Sequence, residues 1–200
     1  RVDLQIAAGS FVFIVGPSGG GKSTLLHLMG GMDHPSSGTL TVNGFDLHQT
    51  SEDELTRFRR QHIGFVFQFF NLLTSLDALD NVSLPLLASG AKRKQARQQA
   101  TTILNQVRLG ARLRHRPAEL SGGEQQRVAI ARAVVGSPSL VLADEPTGDL
   151  DAANAEAVMQ LMLELNRNLG ITFVVATHNQ ALTRLGDAVY ELHAGQLRKE

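Results

Sequence analysis

At 200 residues the chain can bury one sizeable core, and a second independent domain would be cramped. Its 42% hydrophobic and 19% charged residues are those of a globular protein and exclude a disordered or low-complexity chain. Lys+Arg and Asp+Glu both number 19, so no global field draws the chain to nucleic acid, and the absence of cysteine excludes disulfides and thiolate metal sites and fits a reducing compartment.

No apolar run approaches the roughly 20 residues that a membrane-spanning helix needs, so action on a membrane would require another chain to cross it. Arg1 stands where an initiating Met is expected, and residues 2–6 read as the middle of a strand, which gives the expectation of a cut N-terminus. The β-branched, apolar run Phe11-Val12-Phe13-Ile14-Val15 predicts a buried strand, and residues 23–29 have helical periodicity. Between them, Gly16-Pro17-Ser18-Gly19-Gly20-Gly21-Lys22-Ser23 matches the pattern of a phosphate-binding loop. Glycines let the backbone curl so that successive N–H groups and the positive end of the helix surround phosphates. Lys22 is then placed to reach the β- and γ-phosphates of a nucleoside triphosphate, Ser23 to ligate Mg²⁺, and Thr24 to add a phosphate contact. An ordinary Gly-rich turn shares the composition, but a strand before and a helix after are the context that phosphate binding requires.

Residues 39–42 followed by Asn43-Gly44 predict an antiparallel hairpin, and with it a mixed sheet. Strands are predicted again over 63–67, 140–143 and 172–176, each followed by polar residues and a helix candidate, the pattern of a parallel sheet covered by helices. Between the first two of these lies a long stretch with helical periodicity, including 92–107 and 125–135. Its first part, 72–127, is read as a helical subdomain inserted into a single α/β domain whose core is 1–71 and 128–200. The basic clusters Arg57, Arg59, Arg60 and Lys92, Arg93, Lys94 read as solvated helix faces.

In Leu120-Ser121-Gly122-Gly123-Glu124-Gln125, Ser121 and Glu124 form a capping box that starts a helix, and a capped start with two glycines is also a ready anion site. The strand at 140–143 ends in Asp144 and Glu145. Asp144 suits the shell of a Mg²⁺ ion, and Glu145, one residue on and pointing elsewhere, can polarise an attacking water as general base. Acids also end strands simply because they are solvated there. The phosphate-binding loop upstream favours the catalytic reading.

The segment at 120–125 is identical to the signature of ABC ATPases, and the other motifs of that family follow in order. Gln68, after the strand at 63–67, resembles the Q-loop glutamine; Gly148-Asp149-Leu150-Asp151 resembles the D-loop; His178, after the strand at 172–176, resembles the switch histidine. The resemblance covers essentially the whole chain. It implies a P-loop, RecA-like α/β core with the signature on the inserted helical subdomain, and two copies, or one copy and a homologous subunit, packed head to tail. ATP held by residues 16–24 of one would be closed over by Ser121, Gly122 and Gly123 of the other. His178 would contact the γ-phosphate, Gln68 would touch Mg²⁺ and the attacking water, and Asp149 and Asp151 would act across the interface. The family stacks an aromatic residue on adenine from a strand upstream of the loop, yet nothing aromatic precedes Phe11 and the only tyrosine is Tyr190. That residue is expected to have been lost with the N-terminus.

Leu28-Met29-Gly30-Gly31-Met32-Asp33, His115-Arg116-Pro117-Ala118-Glu119 and 142–151 resemble the branch that holds the ATP-binding subunits of lipoprotein-releasing systems, macrolide-type exporters and the cell-division ATPase. Leu163-Glu164-Leu165-Asn166-Arg167 is most similar to the lipoprotein-releasing type. This branch implies an ATP-hydrolysing transport motor on the cytoplasmic face of the inner membrane, serving separate integral membrane subunits. Phe65 and Phe67 are expected in the core, whereas Phe69, Phe70 and Leu72 either pack plainly or line the groove in which the family receives a cytoplasmic helix of the membrane partner. Two other readings stand beside this one. A soluble ABC ATPase of DNA repair or translation would carry long coiled-coil insertions or tandem cassettes, neither of which is present. The ATPase portion of a fused exporter is the other.

Overall fold

The computed structural model describes residues 2–200; Arg1, on which the expectation of a cut N-terminus partly rests, lies outside the described residues. In chain order the elements are β1 (Phe11–Val15), α1 (Lys22–Met29), β2 (Thr41–Val42), β3 (Phe45–Asp46), α2 (Glu52–His62) and β4 (Ile63–Val66). There follow α3 (Ala78–Ala88), α4 (Arg93–Gln106), α5 (Gly122–Val134), β5 (Leu140–Asp144), α6 (Ala152–Leu169), β6 (Thr172–Thr177), β7 (Ala188–His193) and β8 (Gln196–Lys199).

Among the described residues a six-stranded sheet has the order β4-β5-β6-β1-β7-β8, parallel except for the antiparallel β7–β8 pair. All five residues of β1 are buried because it lies inside a parallel sheet covered on both faces, which is why its sequence is continuously apolar rather than alternating. The period of two still sorts the side chains. Phe11, Phe13 and Val15 join Val141, Ala143, Phe173 and Val175 on one face, under α3, α5 and α6. Ile14, Leu142, Val174 and Ala176 turn to the other face, against Leu26 and Met29 of α1. Phe11 stacks on Phe173 with ring centroids 5.4 Å apart. Each such fully buried large side chain contributes about 1.5–3 kcal/mol.

Several expectations change. The Asn43-Gly44 hairpin forms, with both residues at positive φ, but β2 and β3 make a separate two-stranded sheet, so it is the β7–β8 hairpin that makes the main sheet mixed. Residues 2–6 are not a strand: they run without a ladder partner, while Leu4 and Ile6 pack beside Leu26. Phe65, half-buried, packs against the core beside Leu26 and Leu142 as expected, whereas Phe67, its ring stacked 5.1 Å from that of Phe65, is half-buried in an open cleft of about 320 Å³.

Helix α5 begins in the predicted helical stretch and continues onto the sheet. It lies so close to β4 that a Cβ on Gly64 would collide with the carbonyl of Ala133. The signature segment therefore starts a helix whose far end is seated on the strand that precedes Gln68.

Candidate functional site

The loop after β1 is shaped by close approach. A Cβ on Gly16 would collide with the Leu192 carbonyl of β7, and Gly21, at φ +95°, caps α1 from the left-handed region that side-chain-bearing residues avoid. Among the described residues no side chain caps the first turn of α1, and no acid sits in that turn, so its positive end faces the loop. Ser18, Ser23 and Thr24 are exposed there. Lys22 is the opposite: it is 6% exposed, and its ammonium donates to the carbonyls of Gly16 at 2.9 Å and Pro17 at 3.1 Å.

Glu145 completes the cluster. Its Oε1 is 3.6 Å from Lys22 Nζ, and its Oε2 is 3.0 Å from His178 Nδ1 and accepts from the His178 backbone N–H at 3.3 Å. Because the carboxylate can only accept, Nδ1 donates and Nε2 is left for another partner. Glu145 reaches this place through a strained backbone, φ +45°, held by its N–H bond to Ala176 at 2.9 Å. That turn is what sends its carboxylate away from the direction of Asp144.

Asp144 is level with Ala176 and Ile14 across three adjacent strands, so its backbone lies about 10 Å from β1. Its Oδ1 is buried with no hydrogen-bond partner. A carboxylate oxygen in that condition suits a hard cation or its bound water. Among the described residues no group of three or more acids or histidines stands ready to cage a metal unaided.

The other expected residues lie elsewhere. Gln68 follows β4, three strands and about 14 Å from β1. It donates from Nε2 to Asp149 Oδ1 at 3.4 Å and packs beside Gly148. Ser121 caps α5: its Oγ accepts from Glu124 N at 3.3 Å while Glu124 Oε2 accepts from Ser121 N at 2.8 Å. That backbone bond, together with Arg112 at 3.1 Å, holds the Glu124 carboxyl below its ordinary pKa. Gly122 lies against Leu150, and Gly123 against Asn154. Asp151 caps α6 by accepting from Asn154 N at 2.9 Å, which also lowers its pKa. Among the described residues, no hydrogen bond or ion pair joins 121–123 to 16–24. The chain thus assembles Lys22, Glu145 and His178 at one place, and the signature with the Asp149–Asp151 turn at another.

Two residues absent from the sequence reading tie these parts together. Gln126, fully buried, donates from Nε2 to the carbonyl of Pro146 at 2.6 Å. Arg132 donates to the carbonyls of Phe70 at 2.9 Å and Asn71 at 2.6 Å. The signal for Arg132 was present: it is the one charge in Val128-Ala129-Ile130-Ala131-Arg132-Ala133-Val134-Val135.

Comparison with known proteins identifies the family. Residues 1–148 match the sequence profile of the family described as ABC transporter. The chain is 51% identical over 196 residues to the lipoprotein-releasing system ATP-binding protein LolD of Legionella pneumophila (strain Paris), covering 98% of this chain and 86% of that protein. It is 52% identical over 201 residues to LolD of Coxiella burnetii, covering 100% and 86%. The solved dimeric structure of the ATP-binding cassette MJ0796, in a post-hydrolysis state bound to ADP and Pi, superposes with a TM-score of 0.90 at 43% identity, covering 100% of this chain and 88% of that one.

Proposed function

This chain belongs to the ABC transporter family as an ATP-binding, ATP-hydrolysing subunit, and from that premise we propose that it is the motor of a lipoprotein-releasing machine, working as a head-to-tail dimer around two ATP. The observation that carries the mechanism is the placing of Glu145 between Lys22 and His178 at the carboxyl ends of parallel strands, where α/β sheets bind ligands. The backbone N–H groups of 16–21, with Lys22, Ser23 and Thr24, cradle the phosphates. Glu145 takes the proton of the attacking water, and His178, held through Nδ1, offers Nε2 to the γ-phosphate. Mg²⁺ would be held by Ser23, Asp144 and Gln68, and would supply charge neutralisation on the phosphate oxygens.

Ser121, Gly122 and Gly123 close the site of the opposite subunit. Within one chain they sit on α5, whose support is β4, while the phosphate loop follows β1 three strands away. The helical stretch 72–127 acts as a subdomain carrying this signature. Among the described residues no helix is long and apolar enough to cross a membrane. We place the protein on the cytoplasmic face of the inner membrane, bound to integral membrane subunits through the cleft lined by Phe67 and Asn71, next to the 73%-exposed Phe69.

Glu145→Gln tests this reading. The variant is expected to keep ATP binding, to lose hydrolysis by about two orders of magnitude, and to accumulate as a dimer with ATP on a sizing column. Turnover at the parent rate would remove Glu145 from its role.

A further inference from the structure

Arg132 is half-buried in α5, and among the described residues no carboxylate pairs with it. Burial lowers its pKa, as expected of a desolvated cation. Its whole hydrogen-bonding role is to grip two successive carbonyls, those of Phe70 and Asn71. These are both in the left-handed region, at φ +51° and +49°, which an asparagine tolerates but which is unfavourable for Phe70. Asn71 N also donates to the Phe69 carbonyl, tightening the turn. A strained turn of this kind persists only where its surroundings hold it.

The turn has consequences on both sides. The ring of Phe70 comes 3.8 Å from where a Cβ on Gly122 would stand, so the turn touches the signature. Upstream, the carbonyl of Phe67 lies 3.5 Å from Gln126 Nε2, also on α5. Gln68 and Phe69 are therefore suspended between two grips from a single helix. Gln68 is thereby held against Gly148 and Asp149.

We propose that Arg132 is a positioning residue for ATP hydrolysis: its guanidinium latches the Phe70–Asn71 turn to α5, so that Gln68 and the signature helix move as one body. The latch rests on the reading of Gln68 as a residue of the hydrolysis site. Lysine keeps the charge but lacks the planar fork that serves two carbonyls at once. An arginine needed only for packing or for charge would tolerate that exchange.

The experiment compares the full chain with Arg132→Lys, Arg132→Met and Gln68→Ala, singly and with Arg132→Lys and Gln68→Ala combined. Hydrogen exchange, ATP affinity, KM and kcat are the readouts. For Arg132→Lys, exchange at the amides of 69–72 should rise while that of β1 and β5 stays at the parent level. Its kcat should fall on the order of 10- to 10²-fold, as for a misplaced reactive group, with ATP affinity and KM little changed. In the Gln68→Ala background the Arg132→Lys exchange should add little to the loss, since both act through one group. Arg132→Met checks that the effect follows the fork rather than side-chain bulk. Unchanged exchange at 69–72, or an equal kcat loss in the Gln68→Ala background, overturns the latch. Gln68→Ala at the parent kcat overturns instead the role given to Gln68, and a defective Gln68→Ala beside Arg132→Lys at the parent kcat overturns the latch alone.

Discussion

Lys22 shows how much a single residue of this site owes to its neighbours. An ammonium at 6% exposure is costly to bury, and the carbonyls of Gly16 and Pro17 with the carboxylate of Glu145 offset that cost. The same three donors' worth of ammonium geometry can turn to phosphate oxygens, which are stronger acceptors. Lys22→Ala is therefore expected to weaken ATP by about 1.5–3 kcal/mol, the worth of a charge-assisted hydrogen bond, and to leave adenosine binding nearly unchanged. Equilibrium binding of the two ligands decides it, and equal weakening would point to a damaged fold. Lys22, Asp144, Glu145 and His178 were legible in the sequence because each sits at a fixed offset from a strand end. Arg132 stood out only as a lone charge in an apolar run, and its role was not legible, because its partners are backbone carbonyls 61 and 62 positions away whose direction depends on an unusual turn.

Three helices, α2, α5 and α6, are started with the help of acids whose caps make stability pH-dependent. Glu54 reaches back to Ser51 at the start of α2, Glu124 to Ser121 at α5, and Asp151 to Asn154 at α6. In all three the carboxyl is held below its ordinary pKa, first of all by a hydrogen bond: the Ser51 side chain for Glu54, and the backbone N–H of Ser121 and Asn154 for Glu124 and Asp151. A depressed acid contributes stability that is fully present above its unfolded pKa, about 4, and is lost as pH falls through the lower folded value. Urea midpoints should then be flat from neutral pH to about pH 5 and fall below about pH 4. In Glu54→Gln, Glu124→Gln, Asp151→Asn protein that acid limb should be shallower; an identical limb would place the titrating groups elsewhere. The caps at 121–124 were readable as Ser-x-x-Glu, and Asn43-Gly44 as a turn, since both depend on neighbours in sequence. The β7–β8 hairpin was not: β7 lacks a clean alternation of burial, and its turn puts Ala194, at φ +49°, where a glycine or asparagine would have been recognisable.

At the scale of the whole molecule, what matters is the distance between the two halves of the proposed site. The phosphate loop follows β1 and the signature rides on α5 beside β4, with β5 and β6 between. The order of motifs was legible in the chain, but this separation was not, because strand order is set by crossovers that no local pattern records. It makes a test available. A Ser121→Ala chain, whose own loss of the cap should cost about 0.5–2 kcal/mol of stability, can be mixed with a Lys22→Ala chain. One composite site then holds both lesions and the other holds neither. ATPase activity absent from either variant and regained in the mixture is the expected result, read as rate against mixing ratio. A folded, monomeric Ser121→Ala protein at the parent rate would sink the shared site. The three-strand gap also has a genetic meaning. Where intact and signature-defective chains are made in equal amounts and pair at random, only roughly a quarter of the pairs carry two intact chains. Roughly half of the pairs join one chain of each kind, and since each of these keeps one whole site, a defective allele of such a protein would be sheltered by its sound copies rather than silence them.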